Sequence, residues 1–316
     1  AGGESERDLA NYMVVPNHLG HLQQNGQYRR PGEYAGWLGR PYNPLTTRVD
    51  KRDLDDNPYW RTCTDKELTY QIAGLDPPVG LDLERIVQRA SLLEQFDQQR
   101  RVLDERAGDE IDQMRGRALD LITSSRTREA LDVRRESPAT RDRFGRHLFG
   151  QSVLLARRLV EAGTRFVTVH YDACDGYSWD SHVHSDDVKS HLLPTFDQAL
   201  AALLVDLDER GLLAETLVVA LGEMGRTAKP TPRWGRGHWS TLFPAVIAGA
   251  GIQGGTTWGQ SDKNGEQPIE NKTAPEDLAA TIYHALGIDP DTHLMMPDGR
   301  PTPLVNGGRS LLAELS

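Results

Sequence analysis

Late in the chain, imidazoles and carboxylates gather in a way that can support chemistry. Asp180, His182 and His184 fall within five residues, Glu223 follows an apolar run, and His238 lies in a glycine-rich loop shortly afterwards. Mixed nitrogen and oxygen donors of this kind bind zinc, manganese or iron, whereas carboxylates alone favour calcium or magnesium. A divalent metal ion is therefore the expected cofactor, with zinc, calcium, manganese and magnesium all open and Asp180, His182, His184, Glu223 and His238 as its candidate ligands. Each residue alone also has an ordinary reading: Asp180 as a turn former, the histidines as solvated loop residues, Glu223 as a strand-end carboxylate paired with Arg226. Their joint placement carries the metal reading.

Arg226, Arg233 and Arg236 flank the same region. Guanidinium forks suit tetrahedral oxyanions such as phosphate or sulfate, so Arg226 and Arg236 are the candidate oxyanion-binding residues and a small anionic ester is the expected substrate. Glu223 stands in Gly222-Glu223-Met224-Gly225-Arg226-Thr227, where flanking glycines allow close backbone approach. No Ser, Thr or Cys stands out as a nucleophile, and the absence of a Gly-x-Ser-x-Gly elbow argues against a cofactor-independent α/β hydrolase.

The elements that must position these groups are legible as changes of period. Residues 1–80 are rich in Gly, Pro, Asn, Tyr and Arg, and only Tyr12 to Val15 reads as a strand. Helical spacing follows over 82–106 and 109–123, then over 139–162 up to Gly163. The β-branched run Phe166 to His170 predicts a strand feeding the Trp179 to His184 loop, and helical spacing returns over 187–211. Thr216 to Leu221 and Phe243 to Ala248 read as apolar strands, and Glu276 to Leu286 as a last helix stopped at Gly287. Near-continuous apolar strands alternating with helices predict an α/β fold with a mostly parallel sheet covered by helices on both faces. Ligands of such a sheet bind beyond the carboxyl ends of its strands, which is where His170, Asp180, Glu223 and His238 fall. The chain divides into an N-terminal strand with irregular loops (1–80), a helical insertion or cap (81–138) and an α/β core carrying the site (139–316).

Composition narrows the partners. The 316 residues carry a formal net charge of −10, and the arginines between 85 and 146 are interleaved with acidic residues, so a nucleic-acid partner is not expected. No apolar run approaches the roughly 20 residues of a membrane-spanning helix. Cys63 and Cys174 match no zinc-knuckle spacing or disulfide framework, and a single bridge between them stays open. No charged-then-apolar signal segment follows Ala1, so any export signal is expected upstream of it.

Trp179-Asp180-Ser181-His182, the run Leu204 to Leu213, Gly222 to Thr227 and Gly235-Arg236-Gly237-His238-Trp239 together resemble a sulfatase-like bacterial family of unknown function in the alkaline phosphatase superfamily. The resemblance implies a metal-dependent phosphate or sulfate ester hydrolase of alkaline phosphatase or sulfatase-like fold. Asp180 with His182 or His184 would then be first-site ligands, and Glu223 and His238 would take later ligand positions. Met224 stands where the superfamily usually has a His, and Gly237 where the family commonly has an Asp. The resemblance also implies a missing N-terminal region, through truncation or processing or through a partner segment or chain that completes the sheet, and a periplasmic or extracellular setting. The alternative is a relative that keeps the fold and binds without catalysis.

Overall fold

The computed structural model describes residues 10–16, 34–39, 42–49, 56–72, 124–171, 179–183 and 185–316. The chain forms two units, Ala1–Ser178 with His191–Leu203, and Trp179–Ser190 with Leu204–Ser316.

The first unit is built on strand β1 (Tyr12–Val15), whose Met13, Val14 and Val15 are fully buried. Beside it lies β2 (Leu45–Arg48), parallel, with Met13 opposite Leu45; β3 (Gln71–Ile72) joins β2 antiparallel. The two threonines of β2 have the branched side chains that suit a pleated surface, yet the irregular composition around them conceals the strand. Helix α1 (Ser125–Leu131) starts where Ser124 Oγ accepts from the Thr127 amide at 3.2 Å. Helix α2 (Pro138–Phe144) starts with proline in its first turn behind a Ser137 cap. The single helix expected over 139–162 is thus broken, because Gly145 takes φ = 92°, a left-handed conformation that ends α2. Helix α3 (Leu148–Glu161) then begins at His147, whose Nδ1 accepts from the Gly150 amide at 3.1 Å.

Helix α3 buries Leu148, Leu154, Leu155 and Leu159 completely, and β4 (Phe166–Val169) returns to pair with β1 along its whole length. The sheet order is β3-β2-β1-β4, parallel through its centre and antiparallel at β3. Helix α4 (Leu193–Glu209) follows a helical turn and a π-helical stretch, Val188–Leu192. Pro194 lacks the amide a preceding α-turn would need, so regular helix begins with the proline in its first turn. Leu192, Ala199 and Ala202 are buried in the first unit.

In the second unit, β5 (Val218–Leu221) would be parallel to its neighbour in the expected sheet. Instead it pairs antiparallel with β8 (Ala245–Ala248). Between them, β6 (Gly225–Arg226) and β7 (His238–Trp239) form an antiparallel ribbon, and three further features follow: β9 (Gln260–Ser261) with β10 (Pro268–Glu270), helix α5 (Pro275–Ala285), and β11 (His293–Met295) with β12 (Pro301–Pro303). Helix α6 (Leu312–Leu315) closes the chain.

Among the described residues the architecture is therefore one mixed four-stranded sheet and four two-stranded ribbons, which corrects the expected large parallel sheet covered on both faces. Two physical reasons account for the difference. Apolar content does not encode strand direction, and the 222–244 connection contains a ribbon rather than the helical crossover that parallel neighbours need. Nor are β5 and β8 buried on both faces: Leu221 and Val246 are 50% and 45% exposed. The helices expected over 82–106 and 109–123 lie outside the described residues. Among the described residues, no helix is long and apolar enough to cross a membrane.

Candidate metal centre

The ribbon and one loop of the second unit assemble the centre. In the β6–β7 ribbon, Arg226 stands directly opposite His238, so their side chains share one face. The ribbon extends by one more bond, from the Thr227 amide to the Gly237 carbonyl at 3.0 Å. The loop that holds Asp180 and His182 is fastened to β7's approach by the Arg236 amide, which donates to the Ser181 carbonyl at 2.8 Å. Gly235 makes this contact tight: a Cβ there would stand 1.6 Å from the His182 carbonyl oxygen. Only glycine lets the two backbones meet.

Three donor atoms converge as a result. Asp180 Oδ1 lies 2.9 Å from His238 Nε2 and 3.1 Å from His182 Nε2, and the two imidazole nitrogens are 3.1 Å apart. Arg226 Nη2 donates to the same Asp180 oxygen at 2.5 Å. About half of each of the Asp180, His182 and His238 side chains is exposed, so solvent and small ligands reach the cluster. Partial burial pushes the Asp180 carboxyl up, but the hydrogen bonds from His238 and Arg226 and the nearby charges outweigh it and hold it below the usual carboxylate range. Asp180 is thus an anion poised between two imidazoles and a guanidinium.

The donor set fits a divalent ion. In a tetrahedral zinc site with bonds of about 2.0–2.1 Å, ligand atoms stand roughly 3.3 Å apart. The three separations here are only slightly shorter, so a small outward movement admits an ion. Arg226 Nη1 is buried without a hydrogen-bond partner among the described residues, an orphan donor on the group that faces the cluster.

The other expected residues are placed differently. Glu223 is exposed and stands outside the cluster, with no ion pair among the described residues. Arg236 turns its Nη1 to the Thr227 carbonyl at 3.1 Å and to the Ala228 carbonyl. It secures the loop that carries the ribbon rather than facing the donors. His184 lies outside the described residues. His170, at the end of β4, belongs to the first unit, where its amide donates to the Val15 carbonyl at 3.0 Å. Thr227 uses its hydroxyl within the loop, donating to the Lys229 carbonyl and accepting from the Gly237 amide. Two structural roles escaped the sequence reading: that of Gly235, seen there only as part of a motif, and that of Trp234, which takes φ = 59°. The signal for them was an aromatic residue followed by glycine in a Pro- and Arg-rich loop.

Fold and centre together define a two-unit chain of helices and small mixed sheets with a solvent-facing Asp-His-His cluster and an arginine on its carboxylate. The chain belongs to a family described as a protein of unknown function (DUF1501), whose model matches residues 1–315. No sulfatase or alkaline phosphatase family matches, which corrects the sulfatase-like membership expected from the motifs. Short motifs such as Trp-Asp-x-His recur wherever a loop presents a carboxylate and an imidazole together, so they report local chemistry more than ancestry. No curated protein and no solved structure matches the chain.

Proposed function

We propose that the chain is a metal-dependent hydrolase of phosphate or sulfate esters, with a divalent ion held by Asp180, His182 and His238. The observation that carries this reading is the convergence of those three donors beside the Arg226 guanidinium. Two imidazoles and one carboxylate favour zinc or manganese over calcium and magnesium, which prefer oxygen alone. A bound ion would polarise an ester oxygen and offset the charge that develops there. Arg226 anchors the carboxylate through one nitrogen and supplies positive charge to an oxyanion. Gly235 and the Arg236 backbone hold the loops at the spacing the donors require. The exposed position of Glu223 and the existing Arg226–Asp180 pair favour a second reading, an anion-binding protein without catalysis.

Metal content by mass spectrometry separates the two. After incubation with zinc and dialysis, the full chain is expected to retain about one ion, a His182→Ala/His238→Ala variant to retain none, and Glu223→Ala to match the parent. The parent should then cleave p-nitrophenyl phosphate or p-nitrophenyl sulfate. An unmodified chain that keeps no zinc or manganese refutes the hydrolase reading; one that binds metal but cleaves neither ester supports the non-catalytic one.

A further inference from the structure

The loop that presses Gly235 against His182 also exposes the largest side chain the protein has. Trp234 is 71% exposed, although tryptophan is on average a highly buried residue. Its backbone sits at φ = 59°, in the left-handed region that glycine and asparagine adopt readily and a bulky aromatic residue rarely does. The conformation is held from three sides. The Trp234 amide donates to the Thr231 carbonyl at 3.0 Å, the Thr231 amide to the Gly235 carbonyl at 2.8 Å, and the Gly235 amide to Thr231 Oγ1 at 3.0 Å. The indole N–H has no hydrogen-bond partner among the described residues. Among the described residues the side chain therefore gives the fold little burial and no hydrogen bond, yet a strained turn keeps it in place one residue from the contact that positions His182. Retained strain without a structural return points to a ligand.

We propose that Trp234 is the aromatic wall of the Asp180–His182–His238 centre and that the site prefers aryl esters, whose ring stacks on the indole while the oxyanion meets Arg226. This inference rests on the oxyanion-binding reading above. It adds the substrate class, which the donor cluster does not determine by itself. An indole face offers stacking area with little loss of side-chain freedom, and a stacked ring is worth about tenfold in affinity.

The test uses ligands that cannot be hydrolysed. Phenylphosphonate and methylphosphonate, and in parallel benzenesulfonate and methanesulfonate, are titrated calorimetrically into the zinc-treated full chain and its Trp234→Asn and Trp234→Phe variants, with zinc content and Tm recorded for each. The expected result is that the parent binds the phenyl member of the accepted pair about tenfold more tightly than the methyl member. Trp234→Asn should abolish that preference while leaving methyl-ligand affinity and zinc content unchanged, and Trp234→Phe should keep most of it. Because asparagine tolerates the left-handed conformation, Trp234→Asn should melt at or above the parent's Tm. A parent without phenyl preference, or a Trp234→Asn variant that keeps it, overturns the proposal. So does a variant that loses both ligands together with Tm, which makes Trp234 structural. If the parent holds zinc but binds neither anion, the oxyanion reading falls and Trp234's role falls with it; if it holds no zinc either, the metal reading falls as well.

Discussion

Two charged clusters in this protein have similar ingredients and opposite characters. In the first unit, Arg157 is completely buried, 2.8 Å from Glu136 and also paired with Glu161, while Arg158 binds Glu136 and the Ala130 carbonyl at the end of α1. In the second, Asp180, His182 and His238 are half exposed, and Arg226 caps the carboxylate. The buried cluster consists of full charges matched by full charges, with the Arg157 side chain wholly shut off from solvent. The exposed one directs lone pairs toward a point that solvent reaches. Convergence of charge marks a ligand site only where a ligand can reach it.

This contrast breaks first on stability. Arg157→Ala leaves two buried or half-buried carboxylates without their guanidinium and should cost about 3–5 kcal/mol in urea denaturation, lessened where Arg158 compensates at Glu136. Asp180→Ala should cost under about 1 kcal/mol, as exposed ion pairs do. Equal losses from the two substitutions would erase the distinction between a structural and a functional cluster.

The pH profile gives the next largest effect and belongs to the structural side. Burial pushes the His147 imidazole down to about 4. The unfolded chain takes up a proton first as pH falls, so His147's contribution is fully present above about 6.5 and is lost progressively toward 4, up to about 3 kcal/mol. His147→Asn keeps an N-cap acceptor for α3 and should flatten the profile between those values. An unchanged profile would place the acid sensitivity elsewhere.

A smaller effect tests the scaffold of the exposed cluster. Gly235→Ala drives a methyl group into the His182 carbonyl, so the loop must shift at a cost of about 1–3 kcal/mol. Zinc affinity should fall by about tenfold, read by competition with a chelator. Retained affinity would show that the donors need no such backbone contact.

Residue patterns carried a good deal of this. The strand at Tyr12–Val15, the strand from Phe166, the apolar runs that became β5 and β8, and helix α5 with its stop at Gly287 are all readable as local periodicity and caps. The break at Gly145 was not, because a glycine within helical spacing is compatible with continuation until a left-handed turn is required by what packs on either side. β2 and β3 were hidden since two- and four-residue strands owe their existence to a partner, β1 for β2 and β2 for β3, rather than to their own pattern.

The centre follows the same division. Residue type alone placed Asp180, His182, His238 and Arg226 among the candidates, since few side chains can hold a cation or an oxyanion. Glu223 was an equal candidate by type and spacing, and only the ribbon register that sets Arg226 opposite His238, with the Gly235 contact at His182, selects one set and leaves Glu223 in solvent. Local sequence determines which face of an element is apolar and which groups can do chemistry, through periods of a few residues. Pairing direction and the meeting of donors 58 residues apart depend on contacts between distant segments, whose energies no local pattern contains, and these the tertiary structure decided.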